Sequence, residues 1–288
     1  MPRHHPSWLK VKLPTGEKFR QVNALIKKYN LHTVCKSALC PNKGECFSRG
    51  VATFMILGDV CTRRCRFCNV SKGSPSPMDE GEARRVAQAV RKLGLRHAVV
   101  TSVTRGDLPD GGASLFAATI TAIRELNPGC RVEVLVPDFN GSAESLSLVL
   151  RAKPDILNHN METVERLYAT VRPGADYARS LNLLRHSKEI APTLLTKSGL
   201  MVGLGEQWGE IVDTLQSLRG VDCNMLTMGQ YLRPSKHQLP VSRYYTPEEF
   251  AELRETARNM GFRNVASAPL VRSSYQADLQ VSNSRASH

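Results

Sequence analysis

The chain has 288 residues, of which 41% are hydrophobic, enough for a sizeable core. No apolar run approaches the roughly 20 residues of a membrane span, and the first residues lack the apolar segment of a signal peptide. We therefore expect a cytoplasmic protein with no membrane partner. The net charge of +13 favours an acidic partner, either a nucleic acid or a protein. Because the basic residues are scattered and no RNA-binding motif occurs, we do not expect nucleic acid.

The first predicted elements are a short amphipathic helix over Phe19–Tyr29 and a cysteine triplet behind it. Cys35, Cys40 and Cys46 lie in a stretch that proline and glycine make irregular. Clustered cysteines in a reducing compartment favour metal over disulfides. A structural zinc site normally takes four ligands, so three thiols leave one position for another group. We expect residues 1–50 to form an extension that supports a metal cluster.

A second cysteine triplet follows the predicted strand Thr53–Leu57. Cys61, Cys65 and Cys68 have the spacing Cys-x3-Cys-x2-Cys, with Phe67 directly before the last cysteine. A zinc knuckle or a disulfide pair would also explain such spacing. The triplet lies after the carboxyl end of a strand, where barrel enzymes keep their catalytic residues. This position favours a catalytic cluster.

The rest of the chain alternates between apolar runs and amphipathic helices, as in a parallel sheet with crossover helices. The other predicted strands are Ala98–Val103, Val132–Val136, Asp155–Asn158, Gly199–Gly203 and Met225–Tyr231. The predicted helices are Asp79–Leu93, Ala113–Leu126, Ala143–Arg151, Thr163–Tyr168, Ala178–Ile190, Glu210–Leu218 and Pro247–Met260. Six such units suit an incomplete barrel. The two remaining cysteines, Cys130 and Cys223, are most simply packing residues.

The second triplet, with its aromatic Phe67, resembles the radical S-adenosylmethionine superfamily. There, three thiolates hold a [4Fe–4S] cluster whose fourth iron binds the cofactor's amino and carboxylate groups. The first triplet, together with the segment Arg272–Tyr275 (Arg-Ser-Ser-Tyr), narrows the resemblance to the lipoyl synthase family. It implies that Cys35, Cys40, Cys46 and Ser274 hold an auxiliary [4Fe–4S] cluster. The resemblance covers the chain from Trp8 to Gln280, with local departures at Gln207–Gly209 and Gln276.

The resemblance also implies an architecture and a reaction. We expect an incomplete (β/α)6 barrel over residues 51–262, with an N-terminal extension over 1–50 and a C-terminal extension over 263–288 that carries the Arg-Ser-Ser-Tyr segment. The implied reaction inserts two sulfur atoms at carbons 6 and 8 of a protein-bound octanoyl-lysine. It consumes two S-adenosylmethionine molecules per lipoyl group, and the auxiliary cluster donates the sulfur. Because a hard oxygen matches such a cluster poorly, we expect Ser274 to be the ligand that leaves first.

The resemblance implies several partners and contacts. The partners are the octanoylated lipoyl-carrier domain of 2-oxoacid dehydrogenase E2 subunits or the glycine cleavage H protein, an electron donor such as ferredoxin or flavodoxin, and an iron–sulfur carrier that rebuilds the auxiliary cluster. The expected S-adenosylmethionine contacts are Phe67, Thr104, Asp107, Gly111, Gly112, Asn158, Asn160, Glu162, Arg179, Met201 and Gly203. Arg179 is expected to bind the cofactor's carboxylate, since a guanidinium does so with two hydrogen bonds. Gln230, Tyr231 and Arg233 are expected to line the substrate channel.

Each of these side chains also has a simpler explanation. An aspartate after a strand is often a helix cap, and an arginine is often a surface residue. Two other functions remain open. A different radical sulfur-inserting enzyme, such as a biotin-synthase-like or RNA-methylthiolating one, would explain the second triplet but not the first triplet with Arg272–Tyr275. A zinc-binding nucleic-acid module would contain zinc and no sulfide.

Overall fold

A computed structural model describes residues 6–11 and 16–282 of the chain, and its centre is an eight-stranded sheet. The strands, in chain order, are β1 (His32–Thr33), β2 (Thr53–Ile56), β3 (Val60–Cys61), β4 (Ser71–Lys72), β5 (His97–Ser102), β6 (Arg131–Leu135), β7 (Ile156–Asn158), β8 (Leu195–Val202), β9 (Met225–Gln230) and β10 (Asn264–Ser267). The sheet has the order β1-β2-β5-β6-β7-β8-β9-β10, while β3 and β4 form a separate pair.

The sheet is parallel except at one edge. Strand β1 runs antiparallel to β2, and the neighbouring pairs from β2 to β10 are all parallel. The strand order ends at β1 and β10, so the sheet is open. The carboxyl ends of its parallel strands therefore lie along one rim, as in a barrel that does not close.

Helices connect the parallel strands and cover the sheet. They are α1 (Glu17–Lys28), α2 (Val34–Ser37), α3 (Lys43–Ser48), α4 (Glu82–Leu93), α5 (Ala113–Leu126), α6 (Ala143–Arg151), α7 (Tyr168–Val171), α8 (Tyr177–Ile190), α9 (Trp208–Gly220), α10 (Pro247–Asn259) and α11 (Ala277–Ser282). Helix α4 shows why these segments are helical: Val86, Ala87 and Val90 recur on one buried face. It ends at Gly94, whose φ of 61° is the left-handed conformation that favours glycine.

The interior of the sheet holds a buried ionic cluster as well as apolar side chains. Lys197 Nζ lies 3.0 Å from Glu133 Oε1, and both side chains are 0% exposed. His97 Nε2 lies 3.2 Å from Glu133 Oε2, and Asn158 Nδ2 donates to Glu133 Oε1 at 3.3 Å. Burial alone would raise the pKa of Glu133, but the positive charge of Lys197 and the hydrogen bond with His97 lower it to about 2. The carboxylate is therefore charged when buried, and its partners neutralise it.

The structure differs from the predicted elements in several places. Strand β8 begins at Leu195, earlier than the predicted Gly199, because the polar Lys197 and Ser198 belong to it. The helix predicted over Thr163–Tyr168 is wrong, since a 3-10 turn (Glu165–Leu167) precedes the short helix α7. Strands β1, β3, β4 and β10 and helices α2, α3 and α11 were not predicted. Because β10 pairs with β9, the sheet continues past residue 262. The predicted division of the chain at residues 50 and 262 stays a prediction.

Candidate functional site: two cysteine triplets on one cavity

Both cysteine triplets and Ser274 line one cavity at the carboxyl rim of the sheet. The cavity has a volume of about 460 Å³. Segments that follow β2, β5, β6 and β7 reach its wall, and the N-terminal and C-terminal extensions close another part of it. The structure therefore brings together seven predicted ligands that come from three separate regions of the sequence.

The loop that carries the second triplet is held to the neighbouring strand ends by its backbone. The amide of Thr62 donates to Thr104 O at 3.0 Å, and the amide of Arg66 donates to Val171 O at 2.9 Å. The thiol sulfur of Cys61 accepts from the amide of Thr104 at 3.3 Å. Burial raises the pKa of Cys68 to about 12. Burial therefore disfavours a free thiolate at this position, whereas a bound metal ion would favour one.

The first triplet is built on two short helices. Cys35 lies in α2 and Cys46 in α3, while the amide of Cys40 donates to Cys35 O at 3.2 Å. Burial raises the pKa of Cys35 to about 11. Burial, with the neighbouring Cys35 and Cys40, raises the pKa of Cys46 to about 12. The three thiols are thus close enough to influence one another.

Ser274 reaches the first triplet because the C-terminal segment packs on the N-terminal extension. Thr53 Oγ1 donates to Ser274 Oγ at 2.8 Å. The side-chain amide of Asn42 donates to Leu270 O at 2.6 Å, and Tyr275 OH donates to Glu45 Oε1 at 3.0 Å. These contacts join residues more than 200 positions apart, and they bring Ser274 to the cavity that the first triplet also lines.

The residues of both sites fit iron–sulfur clusters. In residues 6–11 and 16–282, no group of three or more His, Cys, Asp or Glu side chains is arranged to hold a single metal ion. Thiolates of a [4Fe–4S] cluster bind different irons, so they lie farther apart than the ligands of one ion. None of the eight cysteines, all within the described residues, forms a disulfide. Three thiols with one hydroxyl fit a fully ligated cluster, and three thiols alone fit a cluster with one open iron.

Several predicted cofactor and substrate contacts also line the cavity, namely Phe67, Thr104, Asn160, Glu162, Met201, Tyr231 and Arg233. Glu162 is held by the backbone between β7 and β8, since its amide donates to Gly199 O and its carbonyl accepts from Met201 N, both at 2.9 Å. Its φ of 66° lies in the left-handed region, which is uncommon for a side chain of this size and is often found at functional sites. Asn160 Nδ2 donates to Glu162 Oε1 at 2.9 Å.

The other predicted contacts lie outside the cavity lining, namely Asp107, Gly111, Gly112, Asn158, Arg179, Gly203 and Gln230. Asp107 pairs with Arg105 at 2.8 Å. A Cβ on Gly112 would lie 2.2 Å from Leu57 Cδ1, so this glycine lets the start of α5 pack on the strand end. The side-chain amide of Gln230 donates to Tyr231 O and Arg243 O. These contacts support the rim, and any role of these seven residues in cofactor binding stays a prediction.

Sequence reasoning missed Arg172, a buried guanidinium on the cavity wall. Its Nη1 donates to Asn160 O at 3.0 Å and Met161 O at 2.9 Å, whereas its Nε has no partner among the described residues. Arg179 instead lies 3.4 Å from Asp138 and keeps 35% of its side chain exposed. The signal available in the sequence was weak, because Arg172 follows the short helix α7 and not a predicted strand.

Comparison with known proteins identifies the family. Residues 55–218 match the radical SAM superfamily, and residues 2–40 match the N-terminal domain of lipoyl synthase of that family. The lipoyl synthase of Caldanaerobacter subterraneus subsp. tengcongensis is 58% identical over 97% of this chain and 98% of its own length. That of Koribacter versatilis is 57% identical over 99% of this chain and 93% of its own. The chain belongs to the lipoyl synthase family.

Solved structures show the fold at lower identity. Methylornithine synthase matches with a TM-score of 0.56 and 15% identity, over 85% of this chain and 74% of its own. Coproporphyrinogen III oxidase of Escherichia coli matches with a TM-score of 0.52 and 15% identity, over 74% of this chain and 54% of its own. The predicted incomplete α/β barrel is thereby confirmed. Lipoyl synthases are radical enzymes that use [4Fe–4S] clusters and S-adenosylmethionine, so the expected cofactors are confirmed for the family. Among the described residues, no helix has the length and apolar character to cross a membrane.

Proposed function

We propose that this chain inserts two sulfur atoms at carbons 6 and 8 of an octanoyl group linked to a lysine of a carrier protein. The observation that carries the proposal is the convergence of both triplets and Ser274 on one cavity. When bound, the [4Fe–4S] cluster at Cys61, Cys65 and Cys68 and S-adenosylmethionine supply the radical chemistry that removes hydrogen from an unactivated carbon. A sulfur source in the same cavity can then reach that carbon without leaving the protein.

The chain's own residues orient the cofactor. The Nε of Arg172 is buried on the cavity wall without a partner, so it can donate to the cofactor's carboxylate. The carboxyl of Glu162 accepts from Asn160 and lies where it can accept from a ribose hydroxyl or an ammonium group. We place Arg172 in the role that the sequence suggested for Arg179.

The auxiliary cluster is the sulfur substrate, held by Cys35, Cys40, Cys46 and Ser274. The hard oxygen of Ser274 is a weaker match to the cluster than the three thiolates. Loss of the serine would free one iron and leave a sulfide available for transfer. The remaining thiolates keep the rest of the cluster attached during the reaction.

The substrate chain enters past the segment after β9. Tyr231 and Arg233 line the cavity there, beside Leu232 and Pro234. Apolar side chains farther in, such as Leu200, suit an eight-carbon chain. The exposed Arg233 suits an acidic carrier, either an E2 lipoyl domain or an H protein. The electron donor (ferredoxin or flavodoxin), the iron–sulfur carrier and the cytoplasmic location stay predictions.

The test is an anaerobic incubation of the iron-replete enzyme with a reductant, S-adenosylmethionine and an octanoyl-lysine peptide, followed by mass spectrometry. We expect lipoyl product together with 5′-deoxyadenosine. Removing the first triplet by Cys35→Ala, Cys40→Ala and Cys46→Ala is expected to keep deoxyadenosine and abolish sulfur transfer. Cys130→Ser, which changes a buried cysteine outside the cavity lining, is the matched control. Absence of deoxyadenosine from the unmodified enzyme would contradict the assignment of Cys61, Cys65 and Cys68.

A further inference from the structure

Thr53 is a buried polar residue at the boundary between the sheet and the first triplet. It opens β2 and is 5% exposed. Strand β2 is paired on both sides, with Thr53 opposite Val99 of β5 and Phe54 opposite Thr33 of β1. The Thr53 hydroxyl is therefore fixed by the central sheet, whereas Ser274, its partner at 2.8 Å, lies outside the helices and strands.

Thr53 also lies close to the first triplet. Thr33 is paired with Phe54, the residue after Thr53, and leads directly into α2, which holds Cys35. Thr53, Cys35 and Ser274 line the same cavity, so one residue of the sheet lies beside a cysteine and bonds the serine that we propose as ligands of the auxiliary cluster. Groups that hydrogen-bond to metal ligands orient them and tune how firmly they bind.

We propose that Thr53 is a positioning residue that holds the Ser274 hydroxyl in ligating position and thereby retains the auxiliary cluster's fourth iron. The inference rests on the proposed role of Ser274 as a ligand. Without the Thr53 hydroxyl, the Ser274 side chain is free to adopt other rotamers, and it spends less time directed at the cluster. The iron–oxygen bond then breaks more often. Both electrons of that bond would stay on the serine oxygen, which would take a proton from a water molecule, and the hydroxide would take the open position on iron, so that no redox change occurs.

The experiment measures loss of iron to a chelator and not catalytic turnover. The full-length chain carries Cys61→Ala, Cys65→Ala and Cys68→Ala, so that iron comes from the auxiliary cluster alone. In this background we expect Thr53→Val to release iron about 10-fold faster or more, because losing such a supporting contact typically lowers metal affinity about 10- to 100-fold. Thr53→Ser keeps the hydroxyl and is expected to restore slow release. Thr119→Val removes a buried hydroxyl that donates within α5 and should change nothing.

A double-mutant cycle separates this inference from the proposed function. If Thr53 acts through Ser274, adding Thr53→Val to Ser274→Ala leaves the release rate of Ser274→Ala unchanged. Two results would overturn the inference about Thr53 alone. One is fast iron release from Ser274→Ala with normal release from Thr53→Val, and the other is a double variant in which the two increases in release rate multiply. Normal release from Ser274→Ala overturns the ligand role itself. Circular dichroism checks folding, and Thr53→Ala replaces Thr53→Val if the latter does not fold.

Discussion

Arg172 and Arg179 differ in how much freedom each guanidinium has to bind a ligand. Arg172 is 8% exposed and lines the cavity with one nitrogen unpartnered among the described residues. Arg179 lies outside the lining and pairs with Asp138. A buried guanidinium is the more effective partner for a carboxylate, because water does not screen it.

We expect Arg172→Met to weaken binding of S-adenosylmethionine by roughly 100-fold, equivalent to about 2 to 3 kcal/mol for a lost charged hydrogen bond. Arg179→Met is the matched control and should change the dissociation constant by less than about 5-fold. Equilibrium dialysis with the cluster-loaded enzyme measures both. A larger loss of affinity for S-adenosylmethionine in Arg179→Met than in Arg172→Met would show that Arg179, and not Arg172, binds the cofactor's carboxylate.

His159 gives the fold a dependence on pH. Its Nδ1 lies 2.8 Å from Val136 O, so this nitrogen carries the proton of the neutral ring. Burial, with the nearby positive charge of Arg172, lowers the pKa of His159 from 6.5 to about 4. The unfolded chain therefore binds a proton at a higher pH than the folded chain does, and the stabilising effect of the neutral imidazole is lost as the pH falls from 6.5 towards 4.

We expect the free energy of unfolding to fall by roughly 2 kcal/mol from this group between about pH 7 and pH 5. His159→Gln should remove that part of the pH dependence, whereas His186→Gln, on the exposed side of α8, should leave it unchanged. Urea unfolding at both pH values measures the difference. If the free energy of unfolding depends on pH equally in His159→Gln and in the unmodified chain, folding does not lower the pKa of His159.

At the level of elements, the sequence predicted the helices and strands whose pattern of apolar residues lies within one short segment. The amphipathic period of α4 and the apolar run of β2 were both recognised, because each is written in consecutive residues. Strand β8 was predicted too short, since Lys197 interrupts its apolar run. That lysine is buried only because Glu133, 64 residues away, neutralises it, and a single strand carries no sign of its partner. The same reason applies to Arg172, whose position depends on hydrogen bonds to the carbonyls of Asn160 and Met161, 12 and 11 residues away.

The sequence predicted those residues of the candidate site that belong to motifs. It did not predict those that reach the site only through packing. Spacing singled out the six cysteines that line the cavity, and a four-residue segment singled out Ser274, while their roles as cluster ligands stay predictions. Thr53 was assigned only to a strand, since its contact with Ser274 spans 221 positions. Glycines such as Gly203 were expected beside the cofactor. A Cβ there would lie 2.2 Å from Gln230 Nε2, so close packing already requires a glycine.

The buried ionic cluster of His97, Glu133 and Lys197 joins β5, β6 and β8 inside the sheet. We expect Glu133→Gln to destabilise the protein by about 3 to 5 kcal/mol, because Lys197 then keeps an uncompensated buried charge. The double variant Glu133→Leu with Lys197→Met, which leaves no charge in that pair, should recover most of the loss. Urea unfolding measures both. Glu255→Gln, in an exposed pair on α10, is the control, and an equally small effect of Glu133→Gln would contradict the account.

At the scale of the whole molecule, residues from both ends of the chain meet over the open sheet. The N-terminal extension supplies three thiols, the C-terminal segment supplies a hydroxyl, and the segment after β2 supplies the second triplet, all on one cavity. This arrangement makes sense if one cluster generates the radical and the other is consumed as the sulfur substrate. The net charge of +13 suits an acidic carrier that delivers the octanoyl chain to this cavity.

The most direct test of that account is the isotopic composition of the product. The enzyme is loaded with clusters built from heavy-isotope sulfide and incubated anaerobically with ordinary S-adenosylmethionine, a reductant and the octanoyl-lysine peptide. We predict a lipoyl product in which both sulfur atoms are heavy, formed at no more than about one per chain without cluster repair. A lipoyl product with light sulfur, or several products per chain without added sulfide, would show that the auxiliary cluster is not the sulfur donor.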